Sequence, residues 1–289
     1  MFRRNLAVVT SSSARGSQNK SYPTNTSLDF NGSTHKLATA GGPVQLNLLT
    51  NNAHTFSYKM LEIAAWIYPH SDGEGSAGTI ISKGKWFIQT TEETTPVSGD
   101  NKVKIKLTRK HATQHRIWET AAIVPINQWS HIYVVLYDYT IPSALEDFLG
   151  TGSLQMHNGN LPFILNGSYN PSGGIPFLGL VNTQTGIGDP AADGSEKLYV
   201  GAINALGGSA YDGLIANLAI TKDIPSVAKA EEVYNNGQYF NHNIDNKLRG
   251  WWRMGDGPEG GVGDVIIDGR FQNNLTGNSI PFARGIFRT

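Results

Sequence analysis

The chain has 289 residues and not one cysteine. That excludes a disulfide framework, a thiolate nucleophile and a cysteine-ligated zinc site. Charge is also scarce: Asp, Glu, Lys and Arg make up 16% of the residues, and 23 basic side chains balance 23 acidic ones. A nucleic-acid binder carries a basic excess, and there is none here. No apolar run approaches the ~20 residues that span a bilayer. The strings G-x-S-x-G, H-E-x-x-H and the P-loop are missing, and the eight histidines are scattered without metal-ligand spacing. Retaining glycosidases hold two carboxylates roughly 5 Å apart, which on one strand means alternate positions. The acidic pairs Glu92-Glu93 and Glu146-Asp147 are adjacent, so an extended chain turns them to opposite faces.

What is abundant is turn chemistry and aromatic residues. Thirty-three glycines, 13 prolines and an aromatic fraction of 10% suit many short strands joined by tight turns. Residues 1–26 are rich in Ser, Asn, Thr and basic residues with little apolar periodicity, and read as an extended N-terminal arm. Residues 27–289 read as a single domain, with no internal repeat. Ser27–Thr39 predicts a first strand pair turning at Asn31-Gly32, with Leu28 and Phe30 on one face. Phe56–Pro69 and Gln128–Val135 predict buried strands that place Trp66 and Trp129 in the core. Thr79–Thr90 predicts a hairpin turning at Lys83-Gly84. Lys102–Leu107 alternates strictly, with Lys102, Lys104 and Lys106 on one face and Val103, Ile105 and Leu107 on the other. Pro171–Glu196 reads as a long Gly/Pro-rich loop, and Asp138–Asn160 as an insertion.

The stretch from Tyr211 to Gly257 organises the rest. Leu214, Ala216, Leu218 and Ile220 alternate as one face of a strand. A short helix follows, with Ser226 as N-cap, Ala230, Val233 and Tyr234 at helical spacing, and Gly237 where a left-handed residue closes the helix. Leu248–Met254 predicts a second strand with Trp251 and Trp252 on opposite faces. The segments Tyr211-Asp212-Gly213 with Ile215, Val233-Tyr234-Asn235-Asn236-Gly237, Leu248-Arg249-Gly250-Trp251-Trp252, Gly255-Asp256-Gly257, Asp268 and Gly277 resemble the C-terminal part of laminin-G-like, concanavalin A-like jelly-roll domains. The resemblance implies an all-β jelly-roll sandwich of two antiparallel sheets with one short helix. It does not fix a function, because this architecture carries lectins, adhesion modules, glycosidases and structural proteins. The E-x-D-x-E strand of jelly-roll glucanases is missing, which predicts a chain that is not an enzyme.

The site expectations follow from residue type. Looser tyrosines Tyr169, Tyr211 and Tyr239 are candidates to stack on a sugar ring. The resemblance implies calcium as the ion that loop acids would hold, with Asp72, Glu74, Asp189 and Asp193 as candidates and no cofactor required. Charge is segregated: Arg3, Arg4, Arg15, Lys20 and the 102–106 lysines are basic, whereas Ile117–Glu196 has no Lys or Arg. A secreted animal module of this family would usually carry a disulfide, and residues 6–9 are too short an apolar run for an export signal. Together these predict a virion surface protein of a bacteriophage, a capsid decoration or tail-associated component made in the host cytoplasm. Its expected partners are other virion proteins, further copies of itself and host surface glycans, with no nucleic acid and no membrane. The alternatives are a carbohydrate-binding or adhesion module of a bacterial surface protein, and a glycan hydrolase with an unrecognised site.

Overall fold

The computed structural model describes residues 26–47, 60–91, 101–120, 123–137, 163–165, 180–184, 187, 191–206, 208–223, 227–237, 240–242, 245–254, 265–266, 275–277 and 282–284. The first strands are β1 (Thr26–Asn31), β2 (Leu37–Thr39), β3 (Met60–Pro69), β4 (Ala77–Ser82), β5 (Trp86–Thr91) and β6 (Lys102–Arg109). Next come β7 (Arg116–Thr120), β8 (Val124–Pro125), β9 (Ser130–Tyr137), β10 (Phe163–Leu165), β11 (Leu180–Gln184) and β12 (Tyr199–Val200). The last are β13 (Asp212–Thr221), β14 (Leu248–Trp252), β15 (Val265–Ile266), β16 (Leu275–Gly277) and β17 (Phe282–Arg284). Helix α1 (Val227–Tyr234) lies between β13 and β14. No helix among the described residues is long and apolar enough to cross a membrane.

The strands form two antiparallel sheets. Sheet A runs β10-β9-β3-β13-β1-β17, with β14 pairing the second half of β13. Sheet B runs β11-β7-β6-β5-β4-β12-β2-β16-β15, with β8 on β6. Between them lies one apolar cluster that draws on both: Leu61, Ile63, Ala65 and Ile67 of β3 meet Trp86 and Ile88 of β5, Val103, Ile105 and Leu107 of β6, and Trp118 of β7. This is the jelly-roll sandwich that the strand pattern predicts. The lysine alternation is reproduced, with Val103, Ile105 and Leu107 buried and Lys102, Lys104 and Lys106 half-buried on the outer face.

Three readings need correction. Ser27–Thr39 is not a strand pair, since β1 pairs with β13 and β17 in sheet A whereas β2 pairs with β12 and β16 in sheet B. The turn at Asn31-Gly32 carries the chain from one sheet to the other. Its Asn31 Oδ1 accepts from the backbone N–H groups of Ser33, Thr34 and His35. The span Pro171–Glu196 is not wholly loop, because β11 adds an edge to β7. Trp129 precedes β9 rather than sitting within it, and it is half-buried.

A fourth correction concerns the central strand. In β13 the register to β3 shifts between Ala216 and Ala219, and Asn217 takes a left-handed backbone conformation with φ 48°. This bulge flips the alternation. Before it, Leu214 and Ala216 face outward beside Tyr68 and Trp66; after it, Leu218 and Ile220 face the inter-sheet core. Asn217 is tied on both sides: its Oδ1 accepts from Trp251 Nε1 at 2.6 Å, and its Nδ2 donates to the Phe240 carbonyl at 3.2 Å. Trp252, opposite Leu218, joins the main core, and Trp251, opposite Ala219, joins a smaller cluster with Ala219 and Leu248 outside the sheet.

Asn217→Ala loses both side-chain bonds and places a Cβ-bearing residue without them in the left-handed region, for an expected loss of about 2–4 kcal/mol. Asn217→Gly keeps the backbone accessible and should lose less. Trp252→Ala, by cavity formation, should cost about 3–5 kcal/mol. Urea unfolding of the three variants checks this order, and an Asn217→Ala loss below that of Asn217→Gly would show that the bulge does not depend on the side chain.

Candidate functional site

The outer face of sheet A has two zones, separated along β3. In the first, toward the start of β3, helix α1, residues 240–242 and Asp245 close over the sheet. Ala230 and Val233 of α1 are buried, and Tyr234 meets Trp66 and His131 at ring-centroid distances of 5.8 Å each. Lys229 of α1 pairs with Asp245 at 2.8 Å. His242 lies between Phe240 at 5.0 Å and Trp251 at 6.0 Å. Beneath this cover, Glu62 is buried and its Oε2 accepts from the Thr221 hydroxyl at 2.6 Å. Burial pushes the Glu62 carboxyl up to about 7, against the Thr221 bond and Lys229. The same burial holds the His131 imidazole down to about 3 and that of His242 well below its ordinary range. Glu62, His131 and His242 are all closed to solvent, and the zone reads as structure.

The second zone lies where β3 ends, and it is open. Tyr68 and Trp129 are half-buried and meet edge to face at 5.5 Å; His70 meets Tyr68 at 5.6 Å, also edge to face. Asn127, in a left-handed turn at φ 57°, donates its backbone N–H to the Pro69 carbonyl at 2.8 Å and so fixes the turn that carries Trp129 against β3. Asp212, at the start of β13, accepts from the Ser71 hydroxyl at 2.7 Å, and His70 Nδ1 stands 3.7 Å from its other oxygen. The side chains of His70 and Asp212 are 37% and 30% exposed, so this carboxylate is reachable from solvent. Two glycines make the close approach. A Cβ on Gly213 (φ +141°) would stand 2.3 Å from the Tyr68 carbonyl, and one on Gly73 (φ +97°) would stand 2.2 Å from the Gly78 Cα. The result is an aromatic surface bordered by a carboxylate, a hydroxyl and an imidazole. That is the residue chemistry that binds polyhydroxylated rings, with an apolar face for stacking and acceptors at its edge.

Most sequence candidates lie elsewhere. Tyr211 is fully buried and packs edge-on to Phe30 at 6.3 Å, so its ring offers no surface for a sugar. Asp193 is buried as well: it pairs with the equally buried Lys83 at 3.4 Å and accepts from Trp86 Nε1 at 3.1 Å. Lys83 also donates to Asn47 Oδ1 at 2.7 Å, and Lys222 donates to the Asn47 carbonyl, which joins the two sheets at that end. Asp72 and Glu74 sit at the opposite end of β4 from Lys83. The Asp72 carbonyl accepts from Gly78 N–H at 2.6 Å, and Glu74 Oε2 accepts from Ala210 N–H at 3.2 Å. Among the described residues no group of three or more His, Asp or Glu side chains is placed to hold a metal ion. Lys106 sits opposite Gln89 and Glu119 on the outer face of sheet B. Tyr169, Tyr239, Asp189, Arg3, Arg4, Arg15 and Lys20 lie outside the described residues, as do Ser226 and the 138–160 span.

The fold is shared with known structures. A protein from Bacteroides ovatus, provisionally described as carbohydrate binding, overlays with a TM-score of 0.52 at 17% identity. The chain has a concanavalin A-like jelly-roll fold. That overlay covers 90% of this chain and 60% of the other, so the chain spans less than two thirds of its neighbour's length. A heptameric SAP-like pentraxin from Limulus polyphemus overlays at 0.49 and 13% identity, covering 91% and 95% of the two chains. Tailspike protein 2 of Escherichia coli O157:H7 bacteriophage CAB120 overlays at 0.38 and 14% identity, covering 83% of this chain and 31% of that one. No protein-family model matches the chain, and no curated protein matches it in sequence.

The closed zone of this jelly roll makes its stability depend on pH. Depressed imidazoles stabilise the fold above about pH 6.5 and withdraw that stability as pH falls toward their folded values. A raised carboxyl acts the other way: stability is full below about pH 4.5 and is lost as pH rises to about 7. Two imidazoles oppose one carboxyl between those limits, so the fold should lose on the order of 1 kcal/mol per pH unit on going from pH 6.5 to 4.5. Denaturant unfolding across that range checks the slope. Glu62→Gln removes the opposing group, so its slope should be steeper; an unchanged slope would show that Glu62 does not titrate there.

Proposed function

We propose that the chain is a non-enzymatic glycan-binding module, with its site on the open rim formed by Tyr68, Trp129, His70, Ser71 and Asp212. The observation that carries this reading is the partly exposed Tyr68–Trp129 pair standing beside a solvent-reachable carboxylate. Elsewhere on sheet A, Trp66, Trp251 and Trp252 are buried, so the aromatic surface at this rim is distinct from the packing of the core. The role provisionally given to the Bacteroides ovatus structure is of the same kind. Binding rather than hydrolysis is supported by the sequence, which has no alternating carboxylate strand, and by Asp212, whose contacts are a hydroxyl and an imidazole.

Tyr68→Ala and Trp129→Ala should each weaken glycan binding at least about tenfold, as anchor residues at small interfaces do, while the fold remains intact. A glycan array followed by calorimetry on the hits reads this. Affinity unchanged in both variants would move the site away from the rim.

The setting proposed for this module is the surface of a bacteriophage particle, as capsid decoration or a tail-associated protein in contact with other particle proteins and with copies of itself. Its support is the charge segregation in the sequence, with basic residues at both termini and none from Ile117 to Glu196. Repeated across a symmetric surface, such charges set register and orientation. Mass spectrometry of purified particles tests the setting. A module confined to bacterial cell surfaces would be missing from them.

A further inference from the structure

The rim carries information about the class of glycan, an inference that rests on the binding reading above. On β1, Leu28 and Phe30 are fully buried, so Asp29 between them is turned to the outer face of sheet A, where it is half-buried. Its cross-strand partner on β13 is Leu214, and Leu214 in turn is opposite Tyr68 on β3. Asp29, Leu214 and Tyr68 therefore stand in one row across three strands. Asp212 is two positions from Leu214 on the same side, which puts it on the diagonal from Asp29, about 7–8 Å away. Asp212 thus lies one strand from Tyr68, with the imidazole of His70 beside it, and Asp29 lies one strand further along the same face, on the side away from Trp129.

An ionised carboxylate is an acceptor with about four lone-pair sites and no proton to give. Asp212 is engaged by one hydroxyl and faces one imidazole, which leaves acceptor capacity for further donors. A ring seated on Tyr68 and Trp129 can supply those donors from its hydroxyls. A ring bearing its own carboxylate brings a third negative charge into the same space, where partial burial reduces solvent screening.

We infer that the rim selects neutral, hydroxyl-rich glycans and rejects uronates and other acidic sugars, with Asp212 accepting from ring hydroxyls and Asp29 acting as an electrostatic filter. Asp212 is a binding residue in this scheme. Asp29 acts on selectivity rather than on affinity for neutral ligands.

The test is calorimetric titration of the full chain with neutral gluco-, manno- and galacto-oligosaccharides and, for each, the matching oligomer oxidised to the uronate at C6. The expected result is binding of at least one neutral oligomer, at least tenfold weaker binding of its uronate partner, and at least tenfold loss of neutral binding in Asp212→Asn. Asp29→Asn should leave neutral binding within about twofold and narrow the gap to the uronate, a readout that a purely structural role for Asp29 would not produce. Uronates bound as tightly as their neutral partners, or a gap unchanged by Asp29→Asn, would overturn the selectivity while leaving glycan binding in place. Binding of neither set would overturn the glycan reading itself. Melting temperatures of both variants within a few degrees of the parent confirm that the comparison is between folded proteins.

Discussion

Strand β13 pairs with β3 along one edge and with β1 and then β14 along the other, and one residue in it decides which side chains face which way. Asn217 accepts a left-handed backbone because its short polar side chain is bonded at both ends, to Trp251 and to the Phe240 carbonyl. The consequence reaches across sheet A. Before the bulge, Asp212, Leu214 and Ala216 look outward along the rim; after it, Leu218 and Ile220 join the inter-sheet core while Ala219 looks toward the second cluster. Without the extra residue, one half of the strand would turn its apolar side chains to the wrong face.

The two zones of the outer face follow from this division. Where helix α1 and residues 240–242 cover the sheet, the polar groups beneath are enclosed: Glu62, His131, Tyr133 and His242 are all buried. Burial disfavours charge on each of them, and the Lys229–Asp245 pair lies at the margin of that layer. Where the cover ends, the same strand presents Tyr68, and the face becomes accessible. At one end of β4 the buried Lys83–Asp193 pair is bonded to Asn47 and Trp86, so removing one partner would strand the other charge in the interior. The enclosed polar groups and the open rim therefore lie at opposite ends of β3.

The sequence made much of this legible and hid the rest for identifiable reasons. Strict alternation located β6 and the outward lysines, since a period of two has one reading in a half-buried strand. The spacing of Ala230 and Val233 located α1, but the left-handed backbone that ends it begins at Asn235 (φ 50°) and Asn236 (φ 53°), ahead of the expected Gly237 (φ +79°). The bulge escaped because a single Asn within an alternating run looks like an ordinary outward residue. Tyr211 seemed a surface ring since it borders a Gly-rich turn, yet the strand start buries it against Phe30. Asp193 looked like a loop acid, because its partner Lys83 is 110 residues away in sequence. The rim was harder still. Tyr68, His70, Trp129 and Asp212 come from three separate segments, and Trp129 in particular reads as a core residue from its apolar neighbours. The ring contact to Tyr68 and the neighbouring turn at Asn127 place it at the edge.

A binding surface needs rigid support if it is to discriminate between similar rings, and here the support comes from the backbone rather than from side-chain packing. Gly213 lets β13 pass so close to β3 that a methyl group would meet the Tyr68 carbonyl, and Gly73 does the same for the 70–76 loop against β4. The two strands that carry Asp212 and Tyr68 are thus held at a fixed spacing by the sheet's own hydrogen bonds, including His70 N–H to the Asp212 carbonyl at 3.0 Å. The side chains that would touch a ligand project from this frame without being part of the core. Tyr68 and Trp129 are half-buried against each other and Asp212 is bonded to Ser71, so these side chains are held in place as well as presented. The spacing of β13 and β3 at this rim is therefore set by the backbone, and the side chains of Tyr68 and Asp212 project from strands whose positions do not depend on them.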